Sequence, residues 1–314
     1  MSTLRLGLVC ISEMLRKDRK LAFKAMTRKQ FVNLSKISRE HAIKELNHRC
    51  MHNVNALYEV VKHCVNVGIS HYRVSSSLFP LITDPTLDLF LQDLPSYESM
   101  ANMLMNSGNF CRANNLSFSC HPDQFNVLAS YSDKTIEQSI RELNHQSTIL
   151  DLMGAERSPK NPMTLHINLK PNLEKESLRD FVSRFVSNVK RCGEGVQKRL
   201  VLENDDKGFW NARMLYENFG DKFPLVYDNL HHACNPTDDN EPWHKIYAKT
   251  WGEYTPVFHW SQGINGGRSH TDYASEMPSE VMELSEAAIW EVELKAKDYA
   301  IMEILKNYEK SEKK

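Results

Sequence analysis

Eight short apolar or β-branched stretches punctuate the chain: LRLGLVC (residues 4–10), HYRVSSS (71–77), LSFSCHPDQF (116–125), MTLHINL (163–169), RLVLEND (199–205), PLVYDNLHH (224–232), PVFHWS (256–261) and IWEVELK (289–295). Continuous apolar runs of this length, bounded by polar or turn residues, predict strands buried on both faces of a parallel sheet. Between them the apolar positions recur at helical spacing. Residues 40–66 carry Ala42, Leu46, Met51, Val54, Leu57, Val60, Val61 and Val65 and stop on Gly68, a common helix terminator. Further helices are predicted at 96–114, 134–153 (Asp133 as cap, Gly154 as stop), 174–191, 210–219, 242–250 and 296–308. Eight strands alternating with helices specify an α/β protein, a single (β/α)8 TIM barrel, rather than a sandwich. The barrel is expected over residues 1–305, followed by a charged tail, 306–314.

From residue 116 onward each of six strand candidates stops on an imidazole or a carboxylate: His121, His166, Glu203, Asp228 with His231, His259, and Glu293. Strand C-termini of a closed barrel meet around one mouth, so these groups converge. A lone histidine at a strand end is more often structural; the joint pattern carries the argument. Imidazole, Asp and Glu without a required thiolate favour divalent manganese, zinc or iron. Seven such groups exceed one ion's needs and imply two or three ions, with Glu203 and Glu293 as bridges. In DNLHH, Asp228 and His231 can face one ion while His232 points elsewhere. A buried Glu203 or Glu293 needs a partner, and a cation supplies it. Such a cluster suits hydrolysis of a phosphodiester, and equally the metal-assisted hydride shift of a sugar isomerase. His41, His48, His52, His63, His71, His145 and His244 have no strand-end position and are assigned to helix surface or core.

Charge adds a local feature to this picture. Charged residues make up 25% and the formal charge is −1, so a polyanionic partner must be met locally. Residues 11–38 are longer than an ordinary strand-to-helix loop and carry Arg16, Lys17, Arg19, Lys20, Lys24, Arg28 and Lys29. On the functional face of a barrel these cations could meet phosphates. In HPDQF, the Pro122–Asp123 turn would project Gln124 and Phe125 above the mouth, a polar–aromatic pair suited to entering a base stack. Seven scattered cysteines without CxxC spacing argue against a disulfide framework or thiolate site. With no signal-peptide pattern and no apolar run of about 20 residues, the expectation is a soluble intracellular protein: cytoplasmic in a prokaryote or virus, nuclear or mitochondrial in a eukaryote.

The segments RLGLVC, YRVSSSLFPL, HPDQFNVLAS, LVLEND, DNLHH and VELKAKD together resemble the ultraviolet damage endonucleases, in order, over about residues 4 to 300. The resemblance implies a TIM barrel related to endonuclease IV, with a cluster of divalent ions, commonly manganese. It implies incision of double-stranded DNA immediately 5′ to ultraviolet photoproducts, leaving a 3′-hydroxyl. Carried over by motif, the metal ligands are His121, His166, Glu203, Asp228, His231, His259, His270 and Glu293, with His270 of GGRSHTDY supplied by the resemblance alone. Glu203, Glu293 and Lys295 form the implied catalytic set. Gln124 and Phe125 match the family's probing pair, and Leu8, Ser12, Arg73, Ser77 and Val257 join the lesion-contact set. Three positions depart from the family: Ser77 stands where some members have a histidine ligand, Leu8 where tyrosine is frequent, and Val257 where some carry a lysine. The DNA contacts of the basic loop are assigned to Arg16, Lys17, Arg19 and Lys20. The expected molecule is a monomer. An endonuclease IV-like enzyme acting at abasic sites and a metal-dependent sugar isomerase are the alternatives.

Overall fold

In a computed structural model, residues 4–18 and 21–312 are described. Arg19 and Lys20 lie outside the described residues. The predicted strands form β1 (Arg5–Val9), β2 (His71–Val74), β3 (Ser117–Cys120), β4 (Met163–Leu165), β5 (Leu200–Glu203), β6 (Leu225–Val226), β7 (Val257–Trp260) and β8 (Ile289–Val292). All pair in parallel in the order β6-β5-β4-β3-β2-β1-β8-β7. The two ends meet through a parallel bridge between Asp228 and His259, where the His259 amide donates to the Tyr227 carbonyl at 3.0 Å. This closes the sheet into the expected (β/α)8 barrel.

Register sorts the side chains into two populations. Gly7 pairs with His71 on one side and Glu291 on the other, and a Cβ there would approach the His71 side chain to 2.9 Å. Gly7 therefore faces a polar barrel interior that has no room for a further side chain. The next residue, Leu8, is in register with Tyr72 and Val292 and is fully buried on the opposite face, against the helical layer. The apolar core is that outer layer, including Val54, Leu57, Phe181, Phe219, Trp251 and Trp290.

The helix over Arg39–Asn66 ends at Gly68 (φ +79°), and that over Asp133–Leu152 ends at Gly154 (φ +69°) but is capped by Ser132 rather than Asp133. Two further outcomes differ from what the sequence predicts. The insertion after β1 is not one loop: it holds helices Glu13–Arg16 and Arg28–Ser35, each with a side-chain cap, Ser12 and Thr27. The last helix runs Asp298–Glu312, so the expected charged tail is helical through residue 312, because Tyr308, 8% exposed, packs on the core. No helix among the described residues is long and apolar enough to cross a membrane.

Candidate metal centre

At the C-terminal mouth of the barrel, Glu203 ends β5 with its carboxylate buried among four imidazoles. Its Oε2 lies 3.0 Å from His121 Nε2 and 3.2 Å from His166 Nε2. Its Oε1 lies 2.9 Å from His259 Nδ1 and 3.1 Å from His231 Nδ1. Glu293 stands beside them, 3.8 Å from His259 Nδ1 and 4.0 Å from His270 Nε2. Asp228 caps the short helix Asn229–Cys234, its Oδ1 accepting from the His231 amide at 2.7 Å. All eight residues assigned as ligands are thus at one mouth. Two trios, His121–Glu203–His259 and His166–Glu203–His231, have ligand atoms close enough to share an ion.

Two observations test the fit of divalent cations to this donor set. First, three histidines have one ring nitrogen tied outside the cluster, His121 Nδ1 to the Pro122 carbonyl (3.0 Å), His166 Nδ1 to Asp205 (2.7 Å) and His270 Nδ1 to the Glu293 carbonyl (2.6 Å), while His231 Nδ1 is shared between the Asn204 carbonyl (2.9 Å) and Glu203 (3.1 Å). That fixes ring orientation and leaves the second nitrogen as a ligand, the usual design around a metal-binding imidazole. Second, Asp228 Oδ2 and both His259 nitrogens are buried without a well-formed hydrogen bond. Buried polar atoms left this way carry a desolvation cost that a cation would remove. The residues fit the group.

The electrostatics follow from crowding. Burial alone would raise the Glu203 carboxyl, but the surrounding imidazoles hold it well below the ordinary carboxylate range. Burial would lower His166, yet Glu203 and Asp205 push it up to about 10. His231 is pushed up to about 11, with Asp228 and Glu203 overriding burial, and His259 to about 9 through Glu203. His121 goes down because burial dominates. Burial also raises Asp228, while Arg73 and His259 bring Glu293 down to about 2 against the opposing effect of burial.

Residues that the sequence reading left out support this ring. Glu291, 1% exposed, accepts from Arg73 and Ser119 and contacts His71 Nε2 at 2.9 Å and His259 Nε2 at 3.1 Å. Its signal was present: in IWEVELK it shares a strand face with Glu293. Asn204, fully buried, donates to the Asp228 carbonyl and accepts the Asp228 amide, tying β5 to β6. Asp205 carries the same signal in RLVLEND, two residues past Glu203. His71, assigned to helix surface or core, is in the barrel interior.

Several lesion-contact candidates are placed elsewhere. Leu8 is in the outer core, Val257 is buried at the start of β7, and Ser12 is buried with its hydroxyl on Asp298. Arg73 is buried between Glu291 and Glu293 rather than facing outward, its Nη1 2.5 Å from Glu293. Ser77 is exposed beside Ser75. Gln124 and Phe125 do project at the mouth, Phe125 being 78% exposed. Lys295 is exposed two residues past Glu293. In the basic insertion, Arg16 pairs with Glu13 at 3.0 Å, Lys17 donates to the Tyr299 hydroxyl at 2.5 Å, and Arg28 pairs with Asp84 at 2.6 Å.

A closed parallel barrel with imidazoles and carboxylates gathered at its C-terminal mouth defines a TIM-barrel enzyme of the metal-dependent kind. Within that class the chain belongs to the UV-endonuclease UvdE family, which it matches over residues 4–313. It is 29% identical over 307 residues to a UV DNA damage endonuclease of Nostoc sp., covering 94% of this chain and 88% of that one. A UV DNA damage endonuclease of Deinococcus radiodurans is 28% identical over 309 residues, covering 95% and 93%. The crystal structure of SacUVDE superimposes with a TM-score of 0.77 at 22% identity, over 99% of this chain and 100% of that one. A 3-keto-D-glucoside 4-epimerase from E. coli shares the barrel at a TM-score of 0.52 and 11% identity, over 81% and 94%.

Proposed function

We propose that this protein is an endonuclease that hydrolyses the phosphodiester bond immediately 5′ to ultraviolet photoproducts in double-stranded DNA, acting as a monomer with two or three divalent ions, manganese foremost and zinc second. The observation that carries the reading is the single Glu203 carboxylate with two histidines on each oxygen. Family membership directs the chemistry to damaged DNA rather than to a sugar.

Glu203 and Glu293 would bridge the ions, and His121, His166, Asp228, His231, His259 and His270 would hold them. When bound, such ions activate water near neutral pH and neutralise charge on phosphoryl oxygens. The chain itself supplies orientation. Glu291, Asp205 and backbone carbonyls fix the rings, and Arg73 balances the charge of Glu291 and Glu293. Phe125, with Gln124 beside it, offers an aromatic face to solvent that would be covered on entering the gap beside a displaced base. Lys295 would offset phosphate charge, and the ion pair of exposed Arg16 is weak enough to be exchanged for a phosphate. The free cysteines, five of them buried, suit a reducing compartment.

The test is a duplex oligonucleotide with one defined photodimer, beside a second duplex with one abasic site. The manganese-loaded protein is expected to cut at the bond 5′ to the photodimer, and chelation to stop it. Glu203→Gln should slow nicking about a thousandfold, the effect of losing about 4 kcal/mol of transition-state stabilisation. Undiminished nicking after chelation would dispose of the metal mechanism. Preference for the abasic duplex would assign the site to the endonuclease IV kind.

A further inference from the structure

Beside the His166 and His231 edge of the metal centre lies a cleft of about 630 Å³, between the segment after β4 and the segment after β5. Both walls are braced. The Trp210 indole donates to the Leu169 carbonyl at 2.8 Å, joining one wall to the other. The Asp205 amide donates to the Trp210 carbonyl at 2.8 Å, closing the second wall into a compact turn with Gly208 at φ +81°. Asn235 donates to the Asp205 carbonyl at 3.1 Å and supports that turn from behind. On the first wall, Asn168 adopts φ +57° and donates to the Asn126 carbonyl at 3.2 Å.

Two exposed lysines, Lys170 and Lys207, line this braced cleft, one from each wall. Among the described residues neither ammonium has an ion pair or a hydrogen bond. The carboxylates of the cleft are already committed, Asp205 to His166 at 2.7 Å and Asp206 to Arg268 at 3.5 Å. The net unspent charge is therefore positive. Phe209, on the same wall as Lys207, is half-buried and also lines the cleft.

We propose that this cleft is a track for the DNA backbone leaving the metal centre, with Lys170 and Lys207 each on one phosphate and Phe209 against the sugar between them. The assignment rests on the proposed action on DNA and adds where the strand runs. Because the walls are rigid and the contacts go to phosphates, the track grips damaged and undamaged duplex alike and leaves lesion choice to the mouth.

Salt titration of binding, with chelator present so that no strand is cut, tests the proposal. Neutralising two phosphate contacts lowers the slope of log K against log salt by about 1.8 for duplex DNA. With equal affinities at 1 M salt, that is about a 60-fold weaker complex at 0.1 M. Lys170→Gln/Lys207→Gln is expected to show this loss on both an undamaged and a photodimer duplex, and Lys170→Arg/Lys207→Arg to restore the slope. An unchanged slope in the glutamine variant, or failure of the arginine pair to restore it, would overturn the track. Should the wild type fail to nick the photodimer while the slope still falls as stated, the nuclease reading fails and the track stands.

Discussion

At the scale of single residues, the centre consists of ligand atoms and the groups that aim them. Asp205 meets His166 Nδ1 at 2.7 Å and so turns Nε2 toward Glu203. Partners of this kind set metal affinity by about 10–100-fold. Asp205→Asn is expected to weaken manganese binding within that range by calorimetry, with the fold intact. Equal affinities for variant and wild type would reduce Asp205 to a surface acid. Strand-end His and Glu were legible because chemistry and strand period mark them together. Asn204 and the inward turn of Arg73 were not, since each depends on which neighbour the register places opposite it. Leu8 and Val257 show the same limit: motif position put them at the lesion pocket, and strand alternation and depth put them in the core.

Among the elements, the first short helix of the insertion after β1 is anchored by one carboxylate of the last helix. Asp298, fully buried, accepts from the Ser12 hydroxyl and from the Glu13 amide at 2.9 Å, and meets His63 Nε2 at 2.9 Å. Burial by itself raises this carboxyl, but His63, Ser12 and the two backbone amides together hold it below the ordinary value. A depressed folded value means stability that is present above the unfolded value of about 4 and is lost as pH falls through the folded value. Asp298→Asn should therefore cost about 1.5–3 kcal/mol at pH 7, the range for hydrogen bonds to charged groups. That gap should shrink below about pH 4. Urea midpoints at pH 7 and pH 3 decide it; a gap independent of pH would mean that packing, not the charge, anchors the insertion. The sequence showed a long basic segment here. It did not show what anchors the first helix there, because the Ser12 hydroxyl meets Asp298, 286 residues away.

For the molecule as a whole, carboxylates and imidazoles packed inside a barrel mouth cost stability that bound cations return. An ion at 100 times its dissociation constant stabilises the native state by about 2.7 kcal/mol if it ignores the unfolded chain. Manganese is expected to raise the unfolding midpoint by several degrees, and Glu203→Gln to remove most of that rise. A midpoint indifferent to manganese in the wild type would show that the cluster does not bind it.

What the sequence determined by itself was the barrel and the strand-end imidazoles and carboxylates gathered at its mouth. Strand and helix periods are local, and alternating apolar runs admit few closed arrangements. Only the tertiary structure decided that one carboxylate would sit among four histidines, that Arg73 would turn inward onto two glutamates, and that two lysines would stand unpaired across a braced cleft. Those outcomes depend on strand register, barrel closure and which charges find partners first, all of which are interactions between residues far apart in the chain.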